Sequence, residues 1–167
     1  MSQFSQKIMD EVGVMLDGCS RADLEEKMEL LCSVTQYLLE KGYEELWVSL
    51  CTAPDDAVLN IASKGWDGEE MERDTLADAE RIGADSVVVA NDAWWVPTVL
   101  TDHSCEDLSV HPARSEGIMV VAKDQVKHLG GCKPFVRTGD KLFFGDLQVE
   151  PIADSWVEYP SEASAMK

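Results

Sequence analysis

Positive charge is what this chain has least of. Its 167 residues hold 14 lysines and arginines against 32 aspartates and glutamates, a net charge of -18. A chain this acidic is repelled by nucleic-acid phosphates and by anionic lipid, which excludes direct nucleic-acid binding and membrane-surface attachment as expectations. A membrane-spanning role is not expected either, because no stretch approaches the run of about 18 apolar residues that a span requires. The opening MSQFSQKIMDEVGVML has no basic segment followed by an apolar block, so no secretory signal is read there. Cysteine is present but unpaired in pattern: Cys19, Cys32, Cys51, Cys105 and Cys132 are odd in number and contain no Cys-x-x-Cys. That implies no disulfide framework and fits a reducing, cytoplasmic setting. The G-x-x-x-x-G-K, G-x-G-x-x-G, H-E-x-x-H and G-x-S-x-G patterns are all missing, which removes the common sequence signatures of phosphate, dinucleotide, zinc-protease and serine-hydrolase sites.

What is present is enough apolar sequence, 45%, to build a real core in one domain. Phe4, Ile8, Val12 and Met15 recur at helical spacing, and Gly18 stops that helix. Ser20 is expected to cap a second helix, with Asp23 completing a capping-box variant and Leu24, Met28, Leu31, Val34 and Leu38 forming its inner stripe up to Gly42. Residues 1–42 are thus a helical hairpin. Residues 45–64 read as a β-hairpin: Leu46, Val48 and Leu50 alternate with Trp47, Ser49 and Cys51, then Ala53-Pro-Asp-Asp56 turns the chain into a strand over Ala57–Ser63. Asp67 caps a third helix over 67–83, in which seven of the fourteen residues from Asp67 to Glu80 are acidic. The remaining strands fall within 86–149. Two are strongly apolar, Ser86 to Trp95 and Glu116 to Lys123; Gln125 to Lys133 is expected to be a loop around Gly130-Gly131. Pro134–Thr138 and Lys141–Val149 form a hairpin through Gly139-Asp140, and residues 151–167 form a tail in which Trp156 is a candidate anchor.

The order α-α-β-β-α-β-β-β-β has sequential strands without alternating helices, which predicts a single α+β domain over residues 1–150. Its sheet is expected to be largely antiparallel, with five to six strands and flanking helices. The order resembles roadblock, longin and profilin-like domains, a likeness of topology that carries no function.

Charge is distributed unevenly. Residues 1–85 hold 20 acids and 7 bases, residues 86–167 hold 12 and 7. On the third helix Asp67, Glu70, Asp74 and Asp78 fall on one exposed stripe. About three turns of it would approach a phosphate-like spacing only imperfectly, since a helical turn rises about 5.4 Å and DNA phosphates lie about 3.4 Å apart along the axis. Chemistry, if any, is expected near the end of the strand that closes in Asn91-Asp92 and Trp94-Trp95. Asp92 beside a buried strand is a candidate acid or base, and one of Trp94 and Trp95 is a candidate ligand contact. The segment after it, 96–114, is long and holds Asp102, His103, Cys105, Glu106, Asp107 and His111. His103, Cys105 and His111 are the candidate ligands for zinc or another transition metal, although their spacing matches no structural zinc pattern. No other cofactor is expected. Arg114 and Glu116 stand two apart at a strand entrance, and antiparallel pairing of the two apolar strands would bring Asp92 near Arg114.

Gly83-Ala-Asp85, an apolar strand, Asn91-Asp-Ala-Trp94, then Pro112-x-Arg-x-Glu116 and a second apolar strand resemble a group of uncharacterised bacterial and phage proteins. In that group a Ser-Glu-Ala-Trp-like strand end is followed by Pro-x-Arg-x-Glu. The resemblance covers roughly residues 83–124, and Asn91-Asp92 departs from the group's Ser-Glu. It implies no activity, only that the two elements belong to one site. Three functional readings stand open. The first is an acidic protein that acts by binding a basic protein, including as a decoy that occupies a nucleic-acid-binding partner. The second is a small hydrolase, metal-dependent or not, using Asp92, His103, His111 and Glu116. The third is a small-molecule sensor. A homodimer is compatible with all three.

Overall fold

The computed structural model describes residues 4–95 and 115–152. It is an α+β domain whose strands form one seven-stranded sheet of order β2-β1-β3-β4-β5-β6, with β7 also on β5. The strands are β1 (Leu46–Ala53), β2 (Asp56–Ser63), β3 (Ser86–Trp95), β4 (Ser115–Asp124), β5 (His128–Thr138), β6 (Lys141–Phe144) and β7 (Gln148–Pro151). Every pairing is antiparallel. The helices are α1 (Gln6–Met15), α2 (Leu24–Glu40) and α3 (Gly68–Ile82). Strand count exceeds the expected five to six because Lys141–Val149 is not one strand. It breaks at Gly145-Asp146-Leu147 into β6 and β7, which share the outer edge of β5 and carry the last strand on to Pro151, past the expected start of the tail.

Helix α2 covers one face of the sheet, and α1 packs on α2. Met28, Leu31, Val34 and Leu38 of α2 are fully buried with Leu46, Val48, Leu50, Val88, Ala90, Ile118 and Val120, the alternate residues of three neighbouring strands. The Tyr37 hydroxyl donates to Glu11 and ties α1 to α2. The cap of α2 is Asp23, whose carboxylate accepts from the Glu26 N–H at 2.8 Å, while Ser20 lies in a 3-10 turn over Cys19–Arg21. Asp23-Leu-Glu-Glu26 is itself a capping-box spacing, and a carboxylate at this position also favours the positive end of the helix dipole.

Both β2 and β3 run antiparallel to β1 and flank it, so they are parallel to each other and the chain must cross over β1 to join them. Helix α3 is that crossover and lies on the face opposite α2. Its contact with β1 is made by small polar groups: Thr75 Oγ1 sits 3.0 Å from Ser49 Oγ, and Cys51 Sγ donates to the Thr75 carbonyl. Strand β1 is therefore buried along all eight residues on both faces, which explains why its two alternating sets read as apolar and small rather than apolar and charged. Asp67 caps α3 through the Glu69 and Glu70 N–H groups, and Gly83 ends it with φ 64°.

Gly130 and Gly131 stand inside β5 rather than in a loop. A Cβ on Gly131 would meet the Gln148 carbonyl at 2.9 Å and Val120 Cγ1 at 3.2 Å, and one on Gly130 would meet Ile152 Cγ2 at 2.9 Å. The pair marks a close approach of β7 and Ile152 to β5, the second meaning that glycine carries in a strand. Replacing Gly131 with Ala is therefore expected to destabilise the fold by about 1–3 kcal/mol through overpacking. Gly13 lies in α1 with nothing within 4 Å of its added Cβ, and Gly13→Ala is expected to stabilise by about 0.5–1 kcal/mol. Urea denaturation of both variants against the parent checks the opposite signs.

Candidate functional site

Antiparallel pairing of β3 with β4 sets Trp94 opposite Glu116, and pairing of β4 with β5 sets Glu116 opposite Phe135. Asp92, Trp94, Glu116, Phe135 and Arg137 consequently share one face at one end of the sheet, beside the connection from α2 to β1. Arg137 holds Glu116 in a two-pronged bond, Nε to Oε1 at 2.7 Å and Nη2 to Oε2 at 3.0 Å, and its guanidinium lies over the Phe135 ring. Glu116 is buried and Arg137 is partly exposed. The Arg137 pKa is raised, first by the hydrogen bonds to Glu116 and then by the charges of Glu116, Glu44 and Asp92.

Asp92 does different work. Glu45 has φ 49°, so the chain turns sharply before β1 and the β1–β3 ladder ends at Trp47 opposite Asn91. The Leu46 N–H finds the Asp92 carboxylate at 2.6 Å in place of a strand carbonyl. This explains a polar Asn-Asp pair inside an otherwise apolar strand. Burial pushes the Asp92 carboxyl above its ordinary value; the hydrogen bond from Leu46 lowers it, and the nearby charge of Glu116 raises it again.

A cleft of about 400 Å³ opens next to this cluster, walled by Tyr43, Glu44, Arg137, Asp140, Lys141 and Phe143. Its two cations are Arg137, already paired with Glu116, and Lys141, and its acids are Glu40, Glu44 and Asp140. A second polar cluster lies near the opposite end of β3. Lys27 of α2 is buried and donates to Ser86 Oγ at 2.9 Å; Ser86 Oγ is 2.6 Å from Thr52 Oγ1, and Asp85 lies 4.0 Å from the ammonium. All three of Lys27, Thr52 and Ser86 are buried, so this is a satisfied polar plug beneath α2 rather than an accessible serine–lysine pair.

The candidate metal ligands His103, Cys105 and His111, and Arg114, lie outside the described residues, as does Trp156. The backbone of Trp95 closes β3 opposite Ser115. Among the described residues no group of three or more His, Cys, Asp or Glu side chains is arranged to hold a metal ion. Cys19, Cys32, Cys51 and Cys132 are free thiols. Burial pushes Cys32 up to about 12 and Cys51 up to about 11, which makes both poor nucleophiles.

On α3, Glu70 and Asp74 are exposed, whereas Asp78 is half-buried and engaged: it accepts from Asn60 Nδ2 of β2 at 2.9 Å and from Arg81 at 3.2 Å. These two bonds, Asn60 first, lower its pKa. The sequence stripe of four acids is thus a helix-capping residue, Asp67, two free carboxylates, and one residue that pins α3 to β2. Residues that the sequence did not single out are Arg137, Lys27 and Ser86. Arg137 follows Phe135 by two and so shares its face, but only the β4–β5 register reveals that this face meets Glu116. No helix among the described residues is long and apolar enough to cross a membrane. No family model matches the chain, and no curated protein or solved structure is significantly similar to it.

Two substitutions separate the roles at this end of the sheet. Arg137→Ala strands a buried carboxylate and is expected to destabilise by about 2 kcal/mol. Asp92 has a folded pKa above its unfolded one, so the stability it contributes is complete below about pH 4, the range of an unperturbed Asp, and is lost as pH rises through the folded value. Asp92→Asn carries no such penalty. Its stability relative to the parent should rise between pH 3 and pH 7 and level off above, as read from urea midpoints; a difference that stays constant or falls over that range would contradict the assignment.

Proposed function

We propose that this chain acts by binding a basic protein through the acidic side of α3, and that the Asp92–Glu116–Arg137 cluster is a structural clamp. The observation that carries this reading is the contrast between two sets of carboxylates. Asp92 and Glu116, the described residues best placed for acid–base work, are committed to Leu46 and Arg137. Glu70 and Asp74 are exposed and project from a helix capped by Asp67 and pinned to β2 by the Asp78–Asn60 bond. The net charge of -18 supports the same reading, since it raises the encounter rate with a cationic partner and lowers it with nucleic acid. A decoy that displaces nucleic acid from such a partner is one form of this activity.

The charge-reversed double variant Glu70→Lys/Asp74→Lys tests the proposal. Neither residue is in the core or in the bonds that position α3, so the variant should keep the parent's melting behaviour, as surface changes usually do. Capture of basic proteins from a cell extract should be lost in the variant, and capture by the parent should fall steeply with salt as exposed charges are screened. Equal capture of the same proteins by parent and variant at low salt would refute it.

A further inference from the structure

Strand β2 is one edge of the sheet, and no described strand pairs with its outer side. Edge strands in natural proteins are usually blunted by lysine, proline, a bulge or short length. Between Asp56 and Ser63 β2 has none of these; Lys64 follows it directly, with its ammonium 3.5 Å from the Glu44 carboxylate. The strand's sequence, Asp-Ala-Val-Leu-Asn-Ile-Ala-Ser, contains neither lysine nor proline. All eight of its residues pair with β1 in unbroken register from Asp56–Ala53 to Ser63–Leu46. The Lys64 N–H donates to the Glu45 carbonyl across this pair. The residues in step with Lys64, namely Ala62, Asn60 and Val58, therefore bond to β1, and Leu59 and Ile61 turn their N–H and C=O groups outward.

The acidic side of α3 runs beside this edge. Thr75 faces β1, and Asp78, three residues on, reaches Asn60 of β2. Asp74 and Glu70 precede Asp78 at four-residue intervals and are exposed; each step turns about 40° further from the sheet, so Asp74 stands on the outer, β2 side of the helix and Glu70 higher on it. Four helical residues rise about 6.0 Å, and two strand residues about 6.6–6.8 Å. Glu70 and Asp74 are one such interval apart, and the mismatch of about 0.6–0.8 Å is absorbed by flexible lysine and arginine side chains. The spacing that fits DNA phosphates poorly thus fits alternate side chains of an extended peptide well.

We infer that β2 accepts an extended segment of the basic partner as an added antiparallel strand, with lysine or arginine at every second position facing Glu70 and Asp74 of α3. This rests on the proposed binding of a basic protein and specifies how that partner is held. Main-chain bonds to Leu59 and Ile61 supply affinity and the alternating cations supply selection. A second copy of this chain is the weaker occupant. Pairing β2 with its own copy about a twofold axis normal to the sheet would set both α3 helices on one face, with Glu70 and Asp74 confronting their equivalents.

The arrangement makes a prediction about which amides matter. In an antiparallel addition, peptide residues opposite Leu59 and Ile61 bond to β2 and point away from α3; the intervening cationic residues point toward α3 and bond to nothing. The probes are a fluorescent octapeptide of alternating Lys and Val, the same peptide N-methylated at every Val, and the same peptide N-methylated at every Lys. All three carry equal charge. By fluorescence anisotropy the parent peptide and the N-methyl-Lys peptide should bind alike, the N-methyl-Val peptide at least roughly tenfold more weakly through its lost hydrogen bonds, and all three should lose binding to Glu70→Lys/Asp74→Lys. Equal binding of all three, lost together in the reversed variant, would overturn strand addition while leaving the acidic face of α3 as a binding surface. Selective loss with the N-methyl-Lys peptide, or no binding of any peptide, would also overturn it. So would a dimer in sedimentation that the parent peptide does not dissociate. If in addition the reversed variant captures the same basic proteins as the parent, the reading beneath it fails too.

Discussion

Burial of β1 on both faces is the constraint from which the rest of the structure follows. One face is filled by the apolar stripe of α2 packed on Leu46, Val48 and Leu50. The other must be covered by whatever carries the chain from β2 to β3, and that element is α3. Because β1 presents Ser49 and Cys51 to it, α3 can approach on a single buried threonine with a thin apolar face, and the rest of its surface is left for charge. A helix with seven acids in fourteen residues is tolerable only where so little of it is needed for the core.

The same constraint places the acids. Crossing β1 brings α3 back along β2, and the Asp78–Asn60 bond fixes which side of the helix faces β2. An unblunted edge strand and a row of carboxylates are each ordinary features. Here one crossover brings them side by side, and that juxtaposition gives the acidic composition a direction. On the opposite face of the sheet, Asp92 and Glu116 are acids turned inward to hold the start of β1 and the end of β5.

Much of the fold was legible in the sequence because it depends on period and punctuation. The inner stripe of α2, the alternation in β1, the turn at Pro54-Asp55 and the Asp67 and Gly83 ends of α3 are local signals, and the α+β class follows from their order. The misread elements depend on contacts between distant segments. Gly130-Gly131 looks like a loop until β7 and Ile152 are found against it, and Ser20 looks like a cap until Asp23 takes the Glu26 N–H. At the candidate site, the meeting of Asp92, Trp94 and Glu116 on one face follows from antiparallel pairing of two visible strands. The arginine beside them is Arg137, placed by a β4–β5 register that no local pattern encodes. The edge position of β2 among the described strands was likewise invisible, because edge position belongs to the topology of the whole sheet.

Amide hydrogen exchange along β2 in the free protein tests the central claim most directly, since that claim is that this strand is bonded on one side only. The account predicts alternation: slow exchange at Val58, Asn60 and Ala62, whose N–H groups bond to β1, and fast exchange at Leu59 and Ile61, whose N–H groups face outward. Slow exchange at Leu59 and Ile61 in the free monomer would contradict it, because the edge would then already be covered.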